Sequence, residues 1–415
     1  MSAVEHDADG RAISASSSDG FDVPALLAAL ASAAAVFVSV WWKSTHMLLP
    51  EAYTMAGYSD VAALFGARSF GQGIPWVDQP LEYPPGIGLV AWGIGVPSQS
   101  ATQFLVATGV LLAACAAVAT WLLAREVGWR RPTALMAGPI VMMAAAVNWD
   151  LLTVALATGG LVAHRRGRDL AAGILLGLGV ATKLWPALLL LLVVPAAWRL
   201  RGLPNATRTA LGAAGAWLLL NVPVMLASWE GWRLFLDLNQ ERVADWDSLW
   251  YLVVTPLGWD PSVPVLNAWV AVLTLVTVVV LLVMTVRSFP AVRWHEAGLA
   301  LVAAFLLVGK VWSPQFTLWL LPLLALAWPG WRIVAALTVF DVGVHVTRFR
   351  HLAGYVGDGL EGAWPVWPFT TAVLLRDAMV LLAVWAWWRS RSGTGAATTS
   401  SGGSAPDPGS HHAVQ

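Results

Sequence analysis

Residues 264–286 read PVLNAWVAVLTLVTVVVLLVMTV, without one charged side chain. A helix needs about 20 apolar residues to cross the hydrocarbon core of a bilayer. Lipid offers the backbone no water, so every N–H and C=O in such a run must be satisfied internally, and helix is the form that does so. A membrane barrel would alternate apolar and polar positions, and this run does not. Working outward, comparable runs lie near 23–42, 101–124, 132–148, 150–163, 170–182, 185–198, 209–227, 295–309, 315–328, 332–347 and 368–388. The composition agrees. The chain is 58% hydrophobic and 12% charged, where a soluble domain carries about 25% charged residues. The expected fold class is therefore an all-α polytopic membrane protein with about 12 transmembrane helices. Residues 23–389 form one membrane unit in this reading, between polar cytoplasmic tails at 1–22 and 390–415 that have nothing to bury.

Four segments qualify the pattern. The runs 170–182 and 185–198 are short and meet at Lys183-Leu184-Trp185-Pro186. Basic clusters at their far ends, HRRGR (164–168) and WRLRG (198–202), argue for a broken hairpin with both ends on one side. Residues 59–70 (SDVAALFGARSF) are amphipathic, and 86–97 (GIGLVAWGIGVP) are apolar but too short to span, which suits interfacial helices.

Orientation follows from the arginines. With the N-terminus inside, fifteen of the 24 basic residues fall on inner connections, and nine fall on outer loops or in spans. That bias predicts a plasma-membrane protein with both termini cytoplasmic. The long connections 43–100, 228–263 and 348–367 are all outer, so the functional face is expected to be extracytoplasmic. A net charge of zero gives no case for nucleic-acid binding. No G-x-x-x-x-G-K-[ST] loop and no Cys/His metal pattern occur, so neither a nucleotide pump, a cofactor nor a metal is called for.

The first outer loop, YTMAGYSDVAALFGARSFGQGIPWVDQPLEYPPG (53–86), concentrates polar chemistry. Asp60 heads a short helical pattern, either as a base that takes a proton from a sugar hydroxyl or as a helix cap. Glu82-Tyr83-Pro84-Pro85 makes a rigid entry into the next helix, and Glu82 and Tyr83 could line a sugar pocket. Asp150, in Asn148-Trp149-Asp150, must pair or work at a membrane boundary, or else cap the next helix. Lys183 at the hairpin break needs an anion, for which a lipid phosphate is the natural partner, against snorkelling to the interface. Lys310 and Gln315 in KVWSPQ, then Arg242 with Asp245 and Asp247, then His345, Arg348 and Arg350 make further polar clusters on the same face. Together they predict a polar cavity there.

Asp60, followed by Glu82-Tyr83-Pro84-Pro85 leading into a helix, resembles glycosyltransferase family 87, the polyprenyl-phosphate-mannose-dependent mannosyltransferases. GILLGLGVATKLWPALLLL (173–191), DSLWYL (247–252) and KVWSPQFTLWLLPLL (310–324) resemble that family's later segments in the same order. The resemblance implies a GT-C membrane fold. It implies a polyprenyl-phosphate sugar donor as co-substrate, a glycolipid or glycan acceptor, and inverting transfer with Asp60 as general base. It departs at Asn148-Trp149-Asp150, where many relatives carry Gly-Gln-x-Asn. Substrate contacts are expected from Glu82, Tyr83, Asp150, Lys183, Arg242, Lys310, Gln315, His345 and Arg350. The alternative is a polytopic transporter or lipid flippase, which would need polar access from both faces.

Overall fold

A computed structural model describes residues 22–68, 70 and 73–392; of the expected tails at 1–22 and 390–415, residues 1–21 and 393–415 lie outside the described residues, whereas Asp22 caps the first helix and 390–392 belong to the last one, Val366–Ser392. Those residues form helices joined by loops, and their only β-type pairing is an isolated bridge between Pro75 and Gln79. Among the described residues, six helices are long and apolar enough to cross a membrane: Val23–His46, Ala101–Val127, Leu203–Ala227, Val263–Ser288, Ala291–Val308 and Val366–Arg391. The run 132–148 is broken at Ala137-Gly138 into Arg130–Met136 and Pro139–Ala144, because Pro139 supplies no backbone donor. The remaining expected spans are the helices Asp150–Arg165, Asp169–Thr182, Pro186–Arg201, Leu320–Ala327 (entered through the turn Pro314–Trp319) and Trp331–Leu352.

The hairpin forms as the basic ends require. Asp169–Thr182 ends at Lys183, and Pro186 opens Pro186–Arg201 in the first turn, where its missing N–H costs nothing. At the far ends Arg201 holds Asp169 bidentately, at 2.5 and 2.8 Å, and reaches His164 at 3.0 Å. Fourteen residues rise about 21 Å, short of the roughly 30 Å core. Gly173 and Gly177 let this helix lie directly on Leu203–Ala227. A Cβ there would meet Thr209 O at 2.1 Å and Ala213 O at 2.2 Å, the small-residue contact by which membrane helices approach closely.

One end of the bundle is tied by charge. Arg165 and Arg166 grip Glu126 at 2.9 and 2.7 Å, Arg165 donates to His295 at 2.7 Å, and Arg391 pairs with Glu296 at 3.1 Å. The opposite end carries the short helices Asp60–Arg68, where the sequence is amphipathic, and Pro85–Gly95, where it is apolar but too short to span. It also carries two helices within 228–263, where the sequence predicts a long loop. Trp229–Glu241 and Leu249–Leu257 are each opened by a serine cap, with Ser228 accepting from Gly231 N and Ser248 from Tyr251 N. The main apolar core, which includes Trp149, Leu189, Leu301 and Leu320, runs between the two ends, and a smaller cluster of Val344, Phe369, Ala372 and Val373 is separate from it.

Candidate active site

Asp60 is the first residue of its helix, yet its side chain does not cap it. Ser59 does: its Oγ accepts Ala62 N–H at 3.4 Å while donating to Ala146 O at 2.6 Å. The Asp60 backbone N–H donates to Val147 O at 2.8 Å, which fixes the turn against the end of the 139–148 segment. The carboxylate is left to face inward. Asn148 Nδ2 donates to Asp60 Oδ2 at 2.9 Å and, through its second proton, to Tyr83 Oη at 2.8 Å. Tyr58 also hydrogen-bonds Asp60; burial first, then that carboxylate, raises the Tyr58 pKa and keeps the phenol a donor. Tyr83 is raised in the same way, by burial and then by Asp60. Lys43, 1% exposed, pins the preceding turn through Ala56 O (3.3 Å) and Tyr58 O (2.8 Å).

Asp60 forms one wall of a cavity of about 330 Å³, with Arg242, Asp245, Gln315, Arg348 and Tyr58 among its other lining residues. Three of the residues expected from sequence, Asp60, Arg242 and Gln315, are thus brought together. Arg242 finds no hydrogen-bond acceptor for its guanidinium among the described residues, whereas Arg348 is committed to Asp245 (3.1 Å) and Asp247. Gln315 is buried and its Oε1 lacks a partner among the described residues. The cavity therefore offers a carboxylate, an uncommitted cation and an unsatisfied amide oxygen.

Behind the Arg242 wall lies a buried chain of charges. Arg348 leads to Asp247, which faces Arg376 at 3.6 Å, and Arg376 holds Asp377 at 2.9 Å while lying 3.8 Å from the Trp312 ring centroid. Burial raises the Asp247 pKa to about 6, against the pull of the two arginines.

The other expected residues lie elsewhere. Glu82 is taken bidentately by Arg68, at 2.9 and 2.8 Å, and stiffens the loop. Lys183 pairs with Asp150 at 2.8 Å under the rings of Phe316 and Trp319, and Trp319 Nε1 donates to Asp150 Oδ1 at 2.6 Å. Each of this pair answers the other's need for a partner. Lys310 points at backbone oxygens behind the cavity wall, and His345 is buried with its ring 5.1 Å from Phe349. Arg350 lies over Trp364 at 5.8 Å and at the edge of a separate apolar groove of about 450 Å³ that includes Val38, Trp42, Met55, Met142 and Val346. Tyr83 reaches the cavity only through Asn148.

Lys43 and, above all, Asn148 have no expected role in the sequence, and Arg348 is expected only as a member of a polar cluster on this face. The tripeptide Asn148-Trp149-Asp150 was the signal, but its chemistry was assigned to the acid rather than the amide.

The Lys183–Asp150 geometry predicts a stability phenotype. Lys183→Met strands a fully buried carboxylate, so the Tm in detergent should fall by several degrees, and adding Asp150→Asn should restore part of it. A Tm unchanged by Lys183→Met, with donor use lost, would instead assign Lys183 to the substrate phosphate.

Residues 81–249 match the sequence model of glycosyltransferase family 87. The matched stretch holds Tyr83, Asn148, Lys183, Arg242 and Asp245; Asp60 and Gln315 lie outside it. Among solved structures, the chain is similar to ArnT from Cupriavidus metallidurans bound to undecaprenyl phosphate. That likeness has 16% identity and a TM-score of 0.43, and covers 87% of this chain and 77% of that one. No curated protein matches the sequence.

Proposed function

We propose that this chain, which matches the model of glycosyltransferase family 87 over residues 81–249, moves a sugar, mannose before others, from a polyprenyl-phosphate donor to a lipid or glycan acceptor at the extracytoplasmic membrane face. The observation that carries the reading is the pairing of the Asp60 carboxylate with the uncommitted Arg242 guanidinium across one cavity. Its volume falls within the ~300–1,000 Å³ of ligand pockets. The apolar groove beside Arg350 suits an isoprenoid chain, on the far side of the Tyr53–Ala56 turn.

In this mechanism Asp60 accepts the acceptor hydroxyl's proton as that oxygen attacks the anomeric carbon. The bond from carbon to phosphate oxygen breaks, its electron pair leaves with the phosphate, and configuration inverts. Asn148 and Tyr58 hold the carboxylate in line. Arg242 meets the charge that grows on the departing phosphate, electrostatic stabilisation of the kind that often supplies the largest catalytic term. Gln315 Oε1 is placed to accept a hydroxyl of the sugar or acceptor.

The test is transfer itself. Membranes containing the protein, fed labelled polyprenyl-phosphate mannose, should gain label in a lipid or glycan product whose new linkage has inverted configuration. No transfer above control membranes from that donor or its hexose and pentose analogues would overturn the reading.

The orientation is proposed with it. Ser262 is exposed at the loop end of the bundle and Thr207 at the opposite end, and the native Cys115 is buried. In intact cells Ser262→Cys should react with an impermeant maleimide while Thr207→Cys should not. The reverse labelling would put the cavity on the cytoplasmic side.

A further inference from the structure

We infer that Lys310 is a positioning residue, a clamp that presents Arg242 to the cavity; the inference rests on the reading of that cavity as the transfer site. Lys310 is 8% exposed, and its three ammonium protons have three oxygens. Gln240 O lies at 3.3 Å, Arg242 O at 2.5 Å and Asn267 Oδ1 at 2.6 Å. No proton remains for a substrate anion, because a lysine has three donors and no more. The acceptors belong to two elements distant in sequence: the C-terminal end of Trp229–Glu241, with the turn that follows it, and the first turns of Val263–Ser288. Asn267 closes the triangle by donating to Gln240 O at 2.7 Å.

Lys310's own carbonyl completes the clamp by accepting Asp245 N–H at 2.7 Å. The segment from Gln240 to Asp245 is thus held at both ends by one residue, and Arg242 is held between them through its own carbonyl. Burial lowers the Lys310 pKa, and the nearby Arg242 charge adds to that. The clamp consists of neutral oxygens, so nothing in it neutralises Arg242, whose guanidinium stays available.

The experiment compares the full chain in nanodiscs as wild type, Lys310→Met, Arg242→Ala and the double variant. Backbone amides of residues 242–246 should exchange with solvent roughly tenfold or more faster in Lys310→Met, since charge-assisted hydrogen bonds hold the segment. Donor KM should rise, and Arg242→Ala should add little further loss on the Lys310→Met background, because both changes remove the same placed cation. Unchanged exchange together with losses that multiply in the double variant would make Lys310 an independent phosphate contact and overturn the clamp. If Lys310→Met does not fold, Asn267→Ala removes one acceptor and should loosen the same amides, and unchanged amides in it would count equally against the clamp. The exchange readout needs no turnover, so failure of the transfer reading and failure of the clamp are separate results.

Discussion

Asp60→Asn should lower transfer roughly 10²–10⁴-fold, the cost of losing a positioned general base, while leaving the fold intact. Asparagine keeps the shape of the side chain and can still receive Asn148 and Tyr58 on its oxygen, but it cannot take a proton at neutral pH. The structure removes the main competing account. Ser59, not Asp60, accepts the Ala62 amide, so Asp60→Asn deletes no cap. The Tm should therefore move little, and Asp60→Ala should lose a comparable factor in rate. Transfer at matched membrane expression checks this. If Asp60→Asn works at near wild-type rate, the base is another group, and Asp245 is the other carboxylate lining the cavity.

Arg376→Met should cost roughly 3–5 kcal/mol of stability, the usual penalty for breaking a buried charge pair by removing one partner. Arg376 is fully buried and faces Asp247 and Asp377 together, with its guanidinium on Trp312. Removing it strands two carboxylates, and through Asp247 it loosens Arg348 and Asp245 at the cavity wall. Thermal unfolding in detergent measures the loss. A variant carrying Asp377→Asn as well should regain part of it. A midpoint within about 0.5 kcal/mol of wild type, the scale of an inert surface change, would show that the carboxylates are neutral in the folded protein.

The helices were legible because long uncharged runs have one solution in lipid, and the hairpin because arginines mark both its ends. Asp60, Arg242 and Gln315 were legible as polar residues on loops that the topology brings to one face. The pairings were not. Lys183 and Asp150 each called for a partner in the sequence, and nothing in it showed that they would find each other across two helices. Arg68 and Glu82 share one loop and were read apart for the same reason. Lys310 reads as a free cation until the fold delivers three oxygens to it. Asn148 stands two residues from an acid whose need for a partner is the stronger sequence signal, yet its single amide group joins Asp60 to Tyr83. Sequence shows which residues carry charge, and the tertiary contacts decide which of those charges remain uncommitted.

The most direct measurement is an experimental structure of the protein with polyprenyl phosphate bound. The phosphate should lie within about 4 Å of the Arg242 guanidinium, the distance of an ion pair, with open space between it and Asp60 for a sugar. A phosphate held by Lys183 or by Arg350, with the Asp60–Arg242 cavity left to solvent, would contradict the account.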